Sequence, residues 1–149
     1  MDQKLLDEVT QEMLHLFPLL EGKIIRVGFR SMERDWKVAP HHFMILKMLR
    51  HAGPMPLSEI GGSHDIPKSH MTYLVDRLEE MGMVERQPDT KDRRVVRVSL
   101  TPEGERTLAG CEAVLRENAH QRLSSLGEAD LNQLSESLKR VREIVAKVE

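Results

Sequence analysis

The feature that most constrains this chain is a change of hydrophobic period in its middle. Up to Gly82, and again after Thr101, apolar residues recur at helical spacing. Between them Val96, Val98 and Leu100 alternate with Arg97 and Ser99, the period of a half-buried strand. A lone two-stranded hairpin is marginal in water, so this one has to lie against helices. The expected fold is therefore mainly α with a small β-hairpin. Met83 to Gln87 and Val95 to Leu100 are its predicted strands, and Pro88-Asp89-Thr90-Lys91-Asp92-Arg93-Arg94 is a charged, turn-forming tip.

Residues 4 to 35 place Leu5, Leu6, Val9, Met13, Leu16 and further apolar side chains on one long helix, with Pro18 the predicted kink. Pro40 suits the start of a second, short helix that runs to about Arg50 and breaks at His51-Ala52-Gly53-Pro54. Ser58 to His64 reads as a brief helix, weakened by Gly61 and Gly62 at about 1 kcal/mol per glycine relative to alanine. Asp65-Ile66 is a predicted turn. Pro67 to Met81 is a clearer helix, with Met71, Leu74, Val75 and Leu78 inward, Lys68, His70, Tyr73 and Arg77 outward, and Gly82 as its cap. Beyond the hairpin, Thr101-Pro102-Glu103 supplies a cap, a first-turn proline and an acid. Two amphipathic helices follow, with a break near Ser125-Leu126-Gly127.

A chain of 149 residues is too short for two independent cores. Yet the first helix and the last two carry more apolar stripe than the central elements can cover. A helical interface with a second copy of the chain is the economical solution, and the alternative is a monomer that folds these helices back on its own core.

Net charge is −2, but it is unevenly spread. Arg86, Lys91, Arg93, Arg94 and Arg97 face only Asp89 and Asp92, and the stretch from Lys23 to Arg50 is also basic. No run approaches the roughly 18 apolar residues of a membrane span. The first residues lack the pattern of a secretory signal, and Cys111, the single cysteine, allows no intrachain disulfide. A cytoplasmic location is expected. Neither a nucleophile set, a phosphate-cradling loop nor a metal-ligand cluster is visible, so no enzyme, cofactor or metal is expected. The seven histidines are scattered, and the adjacent His41 and His42 point about 100° apart on a helix.

Helix, turn, helix and charged hairpin in that order can set one helix in the DNA major groove while the β-ribbon reaches the flanking backbone or minor groove. Lys68, Ser69 and His70 at a helix start present donors to phosphates and base edges. Arg93 and Arg94 suit a narrow, negative groove. Double-stranded DNA is the expected partner, and a winged helix that binds protein through the same surface is the competing reading.

The stretch from Leu57-Ser58-Glu59-Ile60 through Ile66-Pro67-Lys68-Ser69-His70-Met71-Thr72-Tyr73-Leu74-Val75-Asp76-Arg77-Leu78-Glu79 resembles the helix-turn-helix of the MarR family of regulators. Met81-Gly82-Met83-Val84-Glu85-Arg86 is similar to the family's bridge into the wing. Asp92-Arg93-Arg94, then Leu100-Thr101-Pro102-Glu103-Gly104, is similar to its wing signature. The resemblance implies a winged helix-turn-helix in residues 37-101, with residues 1-36 and 102-149 as long dimerisation helices. It further implies a homodimeric regulator, commonly a repressor, on a pseudo-palindromic operator. Carried over by position, the DNA contacts are Lys68, Ser69, His70, Thr72, Tyr73 and Arg77 on the recognition helix and Lys91, Asp92, Arg93 and Arg94 on the wing, Asp92 orienting Arg94. Arg77 has a second reading, a structural salt bridge with Asp76 or Glu80.

The chain departs from the family pattern at Gly61, Gly62, His64 and Asp65, and Ala39 replaces a capping threonine before Pro40. Many relatives respond to a small aromatic or anionic effector. By analogy Met13, Phe17, Arg26, Arg30, Trp36 and His41 are the candidate lining, with core packing the other reading for the methionine and Phe17. The peroxide-sensing branch carries a cysteine near the start of its first helix. Here Cys111 falls on a late apolar stripe, where an inert buried thiol is expected.

Overall fold

The computed structural model describes residues 2–62 and 66–148. Its helices are α1 (Gln3–Leu20), α2 (Arg26–Trp36), α3 (Pro40–Ala52), α4 (Lys68–Glu80), α5 (Pro102–Leu123) and α6 (Glu128–Val145). Three short strands, β1 (Met55–Pro56), β2 (Val84–Pro88) and β3 (Val96–Leu100), form one antiparallel sheet in the order β1-β3-β2. This is the mainly α fold with a hairpin wing that the change of period predicts.

Contacts group residues 28–115 as one compact unit and the two terminal segments as another. Among the described residues, every buried apolar side chain lies between Met32 and Cys111. The compact unit reaches beyond residues 37–101 because Met32 of α2 and Leu108 and Cys111 of α5 share the core of Ile45, Leu46, Leu74, Leu78 and Val98. Helices α1 and α6 bury nothing: Phe17 on α1 is 70% exposed and Ile144 on α6 52%.

Within the terminal unit, Pro18 sits inside α1 without ending it. The irregularity falls just beyond, where Glu21–Ile25 form a π-helical turn and the Arg26 N–H donates to the Glu21 carbonyl. Proline cannot donate to the preceding turn, and one wide turn is how a helix absorbs an extra residue. Residues five apart share a face in such a turn, so the Arg26 guanidinium grips the Glu21 carboxylate, with Nε 3.0 Å from Oε1.

In the compact unit, α4 buries Met71, Leu74, Val75 and Leu78, the spacing i, i+3, i+4, i+7 of one helical face. It ends in a Schellman motif: Gly82, at φ +73°, donates to the Glu79 carbonyl and Met83 to that of Leu78. The Thr101 hydroxyl then joins two elements. It donates to the Gly82 carbonyl at 2.6 Å and accepts the Gly104 N–H at 3.0 Å, capping α5. Gly104 is buried beneath the Met83 carbonyl, and a Cβ there would collide with that oxygen. Gly110 of α5 likewise makes room for the Trp36 indole.

Two expectations change. The helix expected from Ser58 does not form over the described residues 58–62: Leu57–Glu59 form one 3-10 turn, and Gly61 adopts φ +81° with the Met71 methyl where a Cβ would stand. That glycine is fitted to a tight, left-handed approach, so no weakened helix is involved. His64 and Asp65 lie outside the described residues. Ala39 does precede α3 without a capping side chain, but His42 partly replaces the lost bond, its Nδ1 accepting the Ala39 N–H at 3.4 Å.

His42 is half-buried, and its Nε2 has no hydrogen-bond partner among the described residues. Burial, and then the positive charges of Arg77, His41 and His70, push its pKa below 6.5. A depressed folded-state value means that the unfolded chain binds the extra proton. Stability from this site is full above pH 6.5 and is lost as pH falls through the lower folded value. His42→Gln keeps an acceptor without the titration. The expected result is a melting temperature that falls less steeply between about pH 6.5 and 5 than in the wild type; parallel profiles would refute this role.

Candidate nucleic-acid interface

With one face of α4 packed, the other is open. Lys68, Ser69, His70, Thr72, Tyr73 and Arg77 are all exposed. The Thr72 hydroxyl donates to the Lys68 carbonyl at 3.0 Å. His70 stands between two rings: His41 of α3 meets it edge-on at 5.8 Å, and Tyr73 lies nearly parallel to it at 6.3 Å. Arg77 pairs with Glu80 at 2.7 Å, while Asp76 turns to Arg86 of β2.

The wing tip is built from carboxylates that fold the backbone. Asp89 accepts the Lys91 and Asp92 N–H groups at 3.2 and 3.0 Å, and its own N–H donates to the Val95 carbonyl at 2.9 Å. Asp92 takes the Arg94 N–H and Nε, both at 3.1 Å, and Nη2 at 3.3 Å. The Arg94 side-chain and backbone hydrogen bonds hold the Asp92 carboxyl below the usual range. The Arg94 guanidinium is thus oriented although its side chain is 91% exposed. Lys91 and Arg93 are exposed beside it.

A cavity of about 560 Å³ lies between helix and wing, and Lys68, Thr72 and Arg94 line it over a floor that includes Ile60, Met71 and Val96. The two groups of predicted contact residues therefore border one concavity.

Two cations of the basic run have other partners. Arg97 donates to the Pro54 carbonyl at 2.7 Å and lies 3.6 Å from Asp89, while Arg86 reaches two acids of α4. The alternation of β3 marks Arg97 as a side chain of the face opposite Val98; nothing in the charge count separates Arg86 from the tip arginines.

The six candidate effector residues have separate surroundings. Met13 and Phe17 are exposed on α1, and Arg26 is held by Glu21. Arg30 is exposed on α2, Trp36 rests on Gly110, and His41 stands beside His70. Cys111 is buried, which pushes its thiol up to about 11. No helix among the described residues is long and apolar enough to cross a membrane.

Comparison with known proteins places this geometry. The profile of the MarR family matches residues 39–96, from the cap of α3 to the start of β3. The chain is 32% identical over 116 residues to the HTH-type transcriptional repressor MdtR of Bacillus subtilis (strain 168), covering 75% of this chain and 72% of that one. The chain belongs to the MarR family. To the HTH-type transcriptional regulator MhqR of the same organism it is 31% identical, over 89% of this chain and 93% of the relative. Among solved structures, wild-type MarR from E. coli superposes with a TM-score of 0.75 at 25% identity, covering 85% of this chain and 93% of that one. The regulator BldR from Sulfolobus solfataricus gives 0.74 at 27%, covering 99% and 100%. MarR proteins are winged helix-turn-helix transcriptional regulators that bind DNA and act as dimers, and are not a class of enzymes.

Proposed function

We propose that this MarR protein is a homodimeric repressor that binds a pseudo-palindromic operator. Residues 37–101 read the DNA, and residues 1–36 and 102–149 carry the dimer contacts. In this reading Lys68, Ser69, His70, Thr72, Tyr73 and Arg77 enter the major groove, while Lys91, Arg93 and Arg94, the last oriented by Asp92, engage the flanking groove. The observation that carries the proposal is the pairing of an exposed polar face of α4 with an exposed wing arginine already fixed by a carboxylate. Preorganisation of this kind lowers the ordering cost of a contact. Support for the dimer comes from α1 and α6, two helices of 18 residues with no buried side chain. A small aromatic or anionic effector that releases the DNA remains part of this reading, with Met13, Phe17, Arg26, Arg30, Trp36 and His41 as its candidate contacts.

The test is selection of genomic fragments by the purified protein, followed by salt titration of the recovered sites. Affinity should fall steeply and linearly in log–log form through counterion release. Arg94→Ala should weaken binding at least about tenfold and lower the salt slope by roughly 2, one per wing of the dimer. Unchanged affinity and slope at fixed salt would exclude Arg94 from the interface.

A further inference from the structure

We propose that Arg86 is a positioning residue for DNA binding: it locks the root of the wing to the recognition helix and so sets where Arg94 stands. The inference rests on the DNA-binding reading above. Arg86 lies on β2, paired opposite Val98 of β3, at the outer edge of the sheet. Its guanidinium spans two carboxylates on one face of α4, Asp76 at 2.5 Å and Glu79 at 3.0 Å. The Arg86 backbone N–H also donates to Glu79, at 3.2 Å. Glu79 thus holds both the main chain and the side chain of the strand, and covers an edge N–H that β3 does not use.

The site differs from an ordinary surface ion pair. The Arg86 side chain is only 23% exposed. Burial alone would lower its pKa, and the hydrogen bonds it donates to Asp76 and Glu79 more than reverse that, leaving the value raised. The planar fork presents a separate nitrogen to each acid in a fixed geometry, whereas a lysine offers both a single, freely rotating ammonium.

The consequence lies at the other end of the hairpin. β2 and β3 pair without a break from Val84 opposite Leu100 to Pro88 opposite Val96, so the wing moves as a lever. At about 3.4 Å per residue, Arg94, four residues along the chain from Val98, stands at most roughly 14 Å from the Arg86 anchor, and a tilt of about 10° displaces it by roughly 2.4 Å. That exceeds what a hydrogen bond tolerates. The Arg86 guanidinium already donates to two acids of α4 and is largely covered, so its expected effect on DNA passes through the wing.

The experiment is a double-mutant cycle on the full-length protein, with recovered operator DNA as the probe. Arg86→Met, Arg94→Ala and the combined variant are assayed at a temperature where thermal melts show each to be folded. The expected result is a loss for Arg86→Met of about the size of the Arg94→Ala loss, a similarly reduced salt slope, and a double variant no worse than Arg94→Ala alone. Arg86→Lys should recover melting temperature more than affinity. Should Arg86→Met fail to fold, Glu79→Gln takes its place, with a smaller loss that is likewise non-additive with Arg94→Ala. Wild-type affinity and slope in the folded variant, or losses that add fully, would overturn the proposal while leaving DNA binding intact. Absence of salt-sensitive binding by the wild type would instead overturn the DNA reading, and this inference with it.

Discussion

Gly104→Ala is expected to destabilise the protein by roughly 3 kcal/mol, the upper end of ordinary overpacking, and to lower its melting temperature by about 6–12 °C. The reason is the Met83 carbonyl. It occupies the place where the new methyl would go, and it accepts the Thr101 N–H at 3.1 Å. A flexible side chain could rotate away, but a backbone oxygen inside a hydrogen-bonded junction cannot. Moving it disturbs the α4 cap, the Thr101 cap of α5 and the root of the wing together. Gly22→Ala is the matched control. It lies in the helical run with nothing within 4 Å of its absent Cβ, so it should stabilise by about 0.5–1 kcal/mol. Equal effects at the two sites would show that glycine's backbone freedom, and not the close approach, governs Gly104.

The second large effect concerns the exposed helices. Val141 and Ile144 are each about half exposed on α6. Burying the exposed half of such a side chain contributes about 0.75–1.5 kcal/mol. In a twofold dimer, Val141→Glu with Ile144→Glu removes four such contributions and places four charges in the interface. Dimer affinity is expected to fall by a factor on the order of 1,000 or more, giving a monomer at micromolar concentration in sedimentation velocity. Operator binding should collapse with it, because a half-site held by one recognition helix loses the gain of linked binding. A variant that sediments as a dimer would move the interface off α6. The melting of residues 28–115 should change little, since their core contains no α6 side chain.

These expectations also show which parts of the molecule a sequence makes legible. The inner face of α4 and the wing strands were readable because one burial surface imposes one period on each. The cap at Thr101 was readable because its residues act locally. β1 was not: two residues carry no period, and Met55 and Pro56 are a strand only because β3 offers them an edge. The π-helical turn was also hidden, since Pro18 announces a disturbance without saying how the next turns absorb it. Gly61 looked like a helix fault because its neighbour in space, Met71, is distant in sequence.

The candidate interface divides in the same way. Outward residues of α4 follow from the period, and the Asp92–Arg94 pair from the resemblance of the wing to that of the MarR family. Charge counting treats Arg86, Arg94 and Arg97 alike, whereas the fold covers Arg86 and Arg97 against its own acceptors and leaves Arg94, though bonded to Asp92, 91% exposed. His41 was grouped with effector residues by analogy, and a contact between α3 and α4 sets it beside His70. Such sorting depends on tertiary neighbours.

The single thiol gives the molecule a clock. Cys111 is sealed in the core, where burial pushes its pKa up to about 11, so at neutral pH the reactive thiolate is scarce as well as shielded. Alkylation then waits on opening of the unit formed by residues 28–115, and its rate counts how often that unit breathes. A regulator of this build carries its own reporter of opening, at a position remote from α4 and the wing tip in sequence, without an added dye.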